Sequence, residues 1–103
     1  MLQLTVLYPQ PSDVAQFEAD YAEHLALLHE KAGIPTTVKP YTVTKFMSTP
    51  DGDPAFYQMF TLPFESPEIL KATMASAAMQ EVGADAYRIS TGGAPIFLVG
   101  NTE

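Results

Sequence analysis

The chain has 103 residues, of which 47% are hydrophobic and 17% charged, a length and composition typical of one folded domain rather than a disordered segment. Twelve acidic residues against five basic ones give a net charge of -7, which repels nucleic-acid phosphates and anionic lipid headgroups. The lack of cysteine excludes disulfide frameworks, thiolate metal sites and cysteine nucleophiles. No apolar run approaches the roughly 20 residues of a membrane span. We therefore expect a single domain over residues 1–103 that binds neither nucleic acid nor membrane, with the cytoplasm as its default location.

The first two predicted elements are a strand and a long helix. Apolar side chains alternate over residues 2–8 with the period of a strand, and Pro9 ends the run. Ser12 offers an N-cap. Apolar residues then recur at helical spacing, namely Val14, Phe17, Tyr21, Leu25, Leu28 and Ala32. This pattern predicts a helix over about residues 13–32, which Gly33 ends.

The middle of the chain predicts two strands joined by a turn. Val38, Tyr41, Val43 and Phe46 lie in a run rich in threonine and β-branched residues, which favours a second strand. The turn-forming sequence Pro-Asp-Gly-Asp-Pro occupies residues 50–54. Aromatic residues alternate with others over residues 56–64, so we predict an antiparallel hairpin formed by the second and third strands.

The last third of the chain predicts a helix and a short strand. Ser66, Pro67 and Glu68 have the residue types of an N-cap, a first helical proline and an acidic first turn. The helix carries apolar residues to Ala77, and residues 78–86 either continue or restart it. Gly92 and Gly93 precede the apolar residues 96–99, so we predict a turn with positive φ at one of these glycines before the final strand.

The predicted order is strand, helix, strand, strand, helix, strand. This βαββαβ order is that of an α+β ferredoxin-like sandwich with an antiparallel sheet. Two helices cover only one face of such a sheet, yet the third strand also places Tyr57 and Met59 on its other side, and the last strand is apolar on both faces. A second copy of the chain would cover the open face, so we expect a homodimer.

Several short motifs occur in the same order as in a known family. They are Leu4-Thr5-Val6-Leu7-Tyr8-Pro9, the spacing Asp13–Phe17–Tyr21, Pro50-Asp51-Gly52, and Ser90-Thr91-Gly92-Gly93-Ala94-Pro95. Together they resemble the EthD-like proteins, named for ethyl tert-butyl ether degradation, and the resemblance covers nearly the whole chain. It implies a dimeric α+β barrel whose halves are ferredoxin-like.

The resemblance also points to a histidine in the first helix. Family members commonly carry a histidine there, followed by one residue, proline and leucine. The nearest match is His24-Leu25-Ala26-Leu27, with alanine in place of proline. Matching His24 needs a one-residue gap, whereas an ungapped count from Phe17 and Tyr21 places Leu25 at the family position. The resemblance favours His24 and leaves Leu25 as the alternative.

Two sets of residues are candidates for a site. Helical phase places His24 and Tyr21 towards the interior, where a neutral imidazole can act as a base, so we predict them as the catalytic pair. The structural alternative is a boundary histidine bonded to a backbone carbonyl or to Asp20. The predicted ligand pocket consists of Phe56, Met59, Phe60, Tyr41 and Tyr57, with Met47 and Phe64 as further apolar lining. These residues could instead be ordinary core.

No cofactor or metal is predicted. His24 and His29 lie about 140° apart around a helix and cannot share an ion. Haem would need one of them as its axial ligand and is disfavoured. We expect a small homodimeric EthD-like protein that binds a small apolar organic molecule in a barrel or helix–sheet pocket. Cofactor-light oxygenases, decarboxylases and cyclases of catabolism or oxidative metabolism are candidate activities, and a non-catalytic accessory or ligand-sequestering protein is the alternative.

Overall fold

The computed structural model describes all residues, 1–103, and contains four strands and three helices. In chain order they are β1 Leu2–Pro9, α1 Val14–Ala32, β2 Thr42–Lys45, β3 Phe56–Phe64, α2 Pro67–Ala75, α3 Ala77–Ile89 and β4 Ile96–Asn101. The strands form one antiparallel sheet in the order β2-β3-β1-β4. The predicted ferredoxin-like α+β fold is therefore confirmed.

The hydrophobic core lies between one face of the sheet and the helices. Leu4, Val6 and Tyr8 of β1 are buried, because alternate residues of a strand point to the same face. The same face of β3 contributes Phe60 and Phe64 to the core. The helices cover these residues with their own buried side chains, namely Phe17, Tyr21, His24 and Leu28 of α1 and Val82, Ala86 and Ile89 of α3.

The first helix begins at Val14, one residue later than predicted. Asp13, rather than Ser12, is the N-cap, and its Oδ1 accepts a hydrogen bond from the backbone N–H of Gln16 at 3.1 Å. The helix ends at Gly33, whose φ of 68° is left-handed. The long predicted helix is therefore present, with an aspartate cap in place of serine.

The predicted second helix is divided into two by Ser76. This residue is extended, with φ -68° and ψ 149°, and it ends α2 while it caps α3. Its hydroxyl donates to the Thr73 carbonyl at 2.7 Å and accepts from the Met79 N–H at 3.2 Å. The chain therefore restarts the helix after a single-residue joint.

A bulge in β3 changes the predicted alternation. Gln58 pairs with Tyr8 and Phe56 pairs with Pro9, so Tyr57 between them has no partner in β1. The extra residue turns Tyr57 towards the helices, where its ring lies 5.5 Å from that of Phe17. Tyr57 therefore leaves the face on which the sequence pattern placed it.

The second strand is shorter than predicted, because only Thr42–Lys45 pairs with β3. Val38 is 47% exposed, and Met47 beyond the strand is 82% exposed. Met47 therefore lies on the surface and lines no pocket, in contrast to the sequence-based expectation.

The glycine pair before β4 behaves as predicted. Gly93 has a φ of 144°, which disfavours a side chain. A Cβ atom on Gly92 would lie 1.7 Å from the carbonyl oxygen of Gln10. One glycine thus provides the turn geometry, and the other allows two backbone segments to approach closely.

The face of the sheet turned away from the helices carries a cluster of apolar side chains. Leu7 pairs with Met59 on one side and with Ile96 on the other, and Leu98 lies opposite Thr5. Ile96 is 40% exposed and Leu98 is 49% exposed. We call Leu7, Met59, Ile96 and Leu98 the open-face cluster. None of the three helices combines the length and the apolar character that a membrane span requires.

Candidate functional site

An apolar cavity lies between the inner face of the sheet and the helices. It offers about 40 Å³ to the centres of water molecules and about 410 Å³ of free space when its mouth is included. Roughly 10–15 Å³ of the first measure holds one water, so the interior has room for a small molecule or a few waters. The cavity is lined by Leu4, Val6, Tyr8, His24, Leu28, Phe60, Met74, Met79, Val82, Gly83, Ala86 and Phe97.

Among the residues that line the cavity, His24 is the one whose side chain contains a basic nitrogen. Only 5% of the residue is exposed. Its Nδ1 lies 2.8 Å from Oδ2 of Asp85 on α3. A carboxylate accepts hydrogen bonds, so Nδ1 carries the proton and the neutral ring keeps a lone pair on Nε2. Arg88 donates from Nε to the other oxygen of Asp85 at 2.7 Å, which fixes the carboxylate in turn.

The environment of His24 keeps its imidazole neutral. Burial lowers the pKa of His24 below 6.5, and the hydrogen bond and charge of Asp85 offset only part of this effect. Burial also acts to raise the pKa of Asp85, but hydrogen bonds from Arg88 and His24 outweigh it and lower that pKa. The pair is therefore a neutral imidazole held by an ionised carboxylate, which is the arrangement of a positioned general base.

Tyr8 is the second polar group in the cavity wall. It is 1% exposed, and burial, followed by the charge of Asp85, raises the pKa of its hydroxyl. The phenol therefore stays protonated and can donate a hydrogen bond. Sequence reasoning placed Tyr8 only in a strand, although its position on the inward-facing side of an alternating run could have marked it as a candidate.

Tyr21 lies next to His24 but outside the cavity. Its ring stacks on the imidazole with centroids 5.7 Å apart, yet Tyr21 lines a separate shallow groove between α1 and β2. Its hydroxyl is buried, close to the amide of Gln58. Tyr21 therefore supports the position of the imidazole ring rather than presenting its hydroxyl to a ligand in the cavity.

The structure separates the five residues of the predicted pocket. Phe60 alone lines the cavity with His24. Tyr41 stacks on Phe60, with ring centroids 5.3 Å apart, as part of the core. Met59 lies opposite Leu7 in the open-face cluster, and Phe56 pairs with Pro9 at the end of the sheet.

Tyr57, the remaining member, lies beside α1 in a polar cluster. Its hydroxyl donates to Oε1 of Glu18, and the same oxygen accepts from Lys45 Nζ at 2.7 Å. Lys45 also donates to Oε1 of Gln58 at 2.6 Å. These hydrogen bonds link α1 to β2 and β3, so the cluster has a structural role.

His29 has both ring nitrogens engaged within the protein. Its Nδ1 lies 3.3 Å from the Ile34 carbonyl and 3.2 Å from the Pro35 carbonyl, and its Nε2 accepts from the Tyr41 hydroxyl at 2.7 Å. His29 therefore joins the end of α1 to the segment before β2. No group of three or more His, Cys, Asp or Glu side chains is arranged to hold a metal ion.

Comparison with solved structures places the fold among known proteins. An EthD family protein from Bacillus halodurans matches with a TM-score of 0.84 and 26% identity, over 100% of this chain and 99% of that chain. An EthD-like protein from Ralstonia eutropha matches with a TM-score of 0.66 and 23% identity, over 96% and 88%. A dimeric ferredoxin-like protein of unknown function from a Jannaschia species matches with a TM-score of 0.70 and 12% identity, over 99% and 100%.

Sequence comparison identifies the family. No curated protein sequence matches the chain significantly. The model of the EthD domain matches residues 9–91, a segment that begins at the end of β1 and includes both His24 and Asp85. Because this match spans well over half of the chain, the protein belongs to the EthD family.

Proposed function

We propose that the protein binds a small, largely apolar organic molecule in the helix–sheet cavity and that His24 acts on it as a general base. The observation that carries this proposal is the neutral imidazole of His24, held at Nδ1 by Asp85, in the wall of an otherwise apolar cavity. Burying an imidazole in apolar surroundings is unfavourable unless its hydrogen bonds are made. A ligand with a polar group would provide a partner for Nε2.

The reaction that best fits these groups is proton abstraction from a carbonyl or phenolic compound. Nε2 of His24 would take a proton from a carbon next to the carbonyl, or from a hydroxyl, and become an imidazolium. Asp85 would stabilise that positive charge. The Tyr8 hydroxyl would donate a hydrogen bond to the oxygen on which negative charge develops. Such chemistry is compatible with a cofactor-light decarboxylase or cyclase.

A ligand-sequestering protein without catalysis is the second candidate. The small interior volume of about 40 Å³ favours it, because a substrate that must change shape needs more room than one that is only held. The two candidates share the same site. They differ in whether a bound molecule is released unchanged, which mass spectrometry of the products measures.

The proposal includes a homodimer formed through the open-face cluster. Four apolar residues of this cluster share one side of the sheet, and contiguous exposed apolar surface of this kind is typical of association sites. The ferredoxin-like relative from Jannaschia is described as dimeric. Two sheets packed face to face around a two-fold axis would give the α+β barrel expected from the sequence.

Phenol binding tests the role of His24. Phenol has an apolar ring and one hydroxyl that can donate to Nε2. We expect the wild-type protein to bind phenol in calorimetric titrations at pH 7.5 and the His24→Ala variant to bind at least tenfold more weakly, because it lacks the acceptor. The His29→Ala variant is the matched control, since His29 lies outside the cavity and should bind as the wild type does. Equal binding by wild type and His24→Ala would contradict the proposal.

A further inference from the structure

A second, outer groove lies next to the cavity. It has a volume of about 350 Å³ and is lined by Met74, Met79, Gln80, Gly83, Ala84, Tyr87 and Phe97. Four of these residues, Met74, Met79, Gly83 and Phe97, also line the cavity. The cavity and the outer groove therefore share these four residues, which we call the passage residues.

The passage residues can open a route between the cavity and the outer groove. Methionine side chains are unbranched and adopt several conformations at low cost, so Met74 and Met79 can move aside without a change of backbone. Gly83 lies inside α3, where glycine is unfavourable compared with alanine. A Cβ atom on Gly83 would meet no other atom within 4 Å, so the glycine is not required by close packing and instead leaves space in the wall.

The helix α2, which contributes Met74 to both spaces, is held lightly. None of the residues of α2 is buried, and only Leu70 and Met74 among its side chains pack partly against the core. By contrast, α3 has three buried residues. Ser76 is an extended single-residue joint between the two helices. Segments with few buried contacts open at low free-energy cost, so α2 can lift while α3 stays in place.

We propose that α2 is a lid over a passage from the outer groove to the cavity, and that Gly83 determines the size of ligand that the passage admits. This inference rests on the proposed function. The ligand class that fits is an elongated apolar molecule with a hydrogen-bonding group at one end. That end would meet His24, and the body would extend through the passage to the outer groove.

The dimensions of the two spaces support an elongated ligand. The interior alone has room for about three water molecules at 40 Å³, which is less than an aromatic ring with substituents needs. The outer groove adds an aromatic wall, in which the rings of Tyr87 and Phe97 stack with centroids 5.7 Å apart. Such a wall is suited to contact a ring or an alkyl chain.

A series of 4-alkylphenols tests the passage. Phenol, 4-ethylphenol and 4-propylphenol share the hydroxyl and differ in tail length. Each methylene that leaves water should raise the affinity by about fourfold, measured by calorimetry with the wild-type protein. The Gly83→Leu variant fills the passage, so affinity should no longer rise with tail length. The Ala72→Leu variant is the matched control, since Ala72 is exposed on the same lid and lines neither space.

A second variant, Met74→Ala, should open the passage instead of filling it. It also tests the passage if Gly83→Leu does not fold. Met74→Ala shortens a side chain of the lid that is not buried, so the fold should survive. It should speed the association of 4-propylphenol several-fold in stopped-flow measurements. Circular dichroism confirms that each variant is folded.

The outcomes separate this inference from the proposed function. An unchanged tail-length dependence in folded Gly83→Leu, or an unchanged association rate in Met74→Ala, would overturn the passage. If the tail-length dependence is lost in Gly83→Leu but His24→Ala binds phenol normally, the passage stands and the role of His24 fails. If the wild type binds none of the phenols, both are overturned.

Discussion

Removing the Asp85 carboxylate should destabilise the protein and lower the pKa of His24 further. The Asp85→Ala substitution deletes the acceptor of the His24 Nδ1 proton, and that imidazole is only 5% exposed. A buried hydrogen bond to a charged group contributes about 1.5–3 kcal/mol. The lost contact to Arg88 adds little, because the Arg88 side chain is 55% exposed. We therefore expect the free energy of unfolding to fall by about 2 kcal/mol.

Urea unfolding at pH 7.5 measures this loss, and NMR titration of the imidazole protons measures the pKa. The pKa of His24 should fall because the hydrogen bond and charge of Asp85 raise it in the wild type. Asp85→Asn is the matched control. It keeps an oxygen acceptor but removes the charge, so it should lose less stability while still lowering the pKa of His24.

The result that would refute this reasoning is specific. Neutral surface changes typically alter the free energy of unfolding by no more than about 0.5 kcal/mol. If the free energy of unfolding of Asp85→Ala lies that close to the wild-type value, the Nδ1 proton is not buried against the carboxylate. A pKa of His24 that rises in Asp85→Ala would show that Asp85 does not stabilise the imidazolium. Either result would remove the basis for His24 as a positioned base.

Four further predictions follow from the same structure. Burial lowers the pKa of His24 below its unfolded value of 6.5. The contribution of neutral His24 to the free energy of unfolding should therefore be complete above pH 6.5 and should be lost as the pH falls through the folded pKa, as measured by urea unfolding. Gly92→Ala should cost about 1–3 kcal/mol in the same assay, because its Cβ would meet the Gln10 carbonyl. Met59→Lys should yield monomers in sedimentation equilibrium, where the wild type sediments as a dimer. His29→Ala should lower thermal stability without weakening phenol binding.

Each of these has a contradicting outcome. Stability that increases on acidification below pH 6.5 would contradict the assignment of a neutral buried His24. A Gly92→Ala variant as stable as the wild type would contradict the close approach to Gln10. A wild-type protein that sediments as a folded monomer would contradict the dimer, and phenol binding that depends on His29 would place the site elsewhere.

The order of the elements could be predicted because their signals are local. Alternation over residues 2–8 and helical spacing over residues 13–32 depend only on neighbours in the chain. The bulge at Tyr57 could not be predicted, because it depends on the register between β1 and β3 rather than on the sequence of either strand. The break at Ser76 could not be predicted from the sequence, since a serine inside an apolar helical run can either continue or end the helix.

The candidate site was predictable only in part. Helical phase placed His24 towards the interior, where the structure has it buried. Its partner Asp85 lies 61 residues away in sequence, and a contact of that range leaves no local pattern. The prediction of Asp20 as an alternative partner relied on helical spacing alone. The sequence does not mark Tyr8 as a site residue, because a tyrosine in a strand is more often a core residue. Helical phase places Tyr21 towards the interior but does not show where the sheet lies.

The central claim is that a small apolar molecule binds in the helix–sheet cavity against His24, and a crystal structure of the protein with bound phenol tests it most directly. We predict electron density for the ring between Leu28 and Phe60, with the phenol oxygen at about 2.6–3.2 Å from Nε2 of His24. A cavity that stays filled by its own side chains, with phenol bound only on the open-face cluster or in solvent channels, would contradict it.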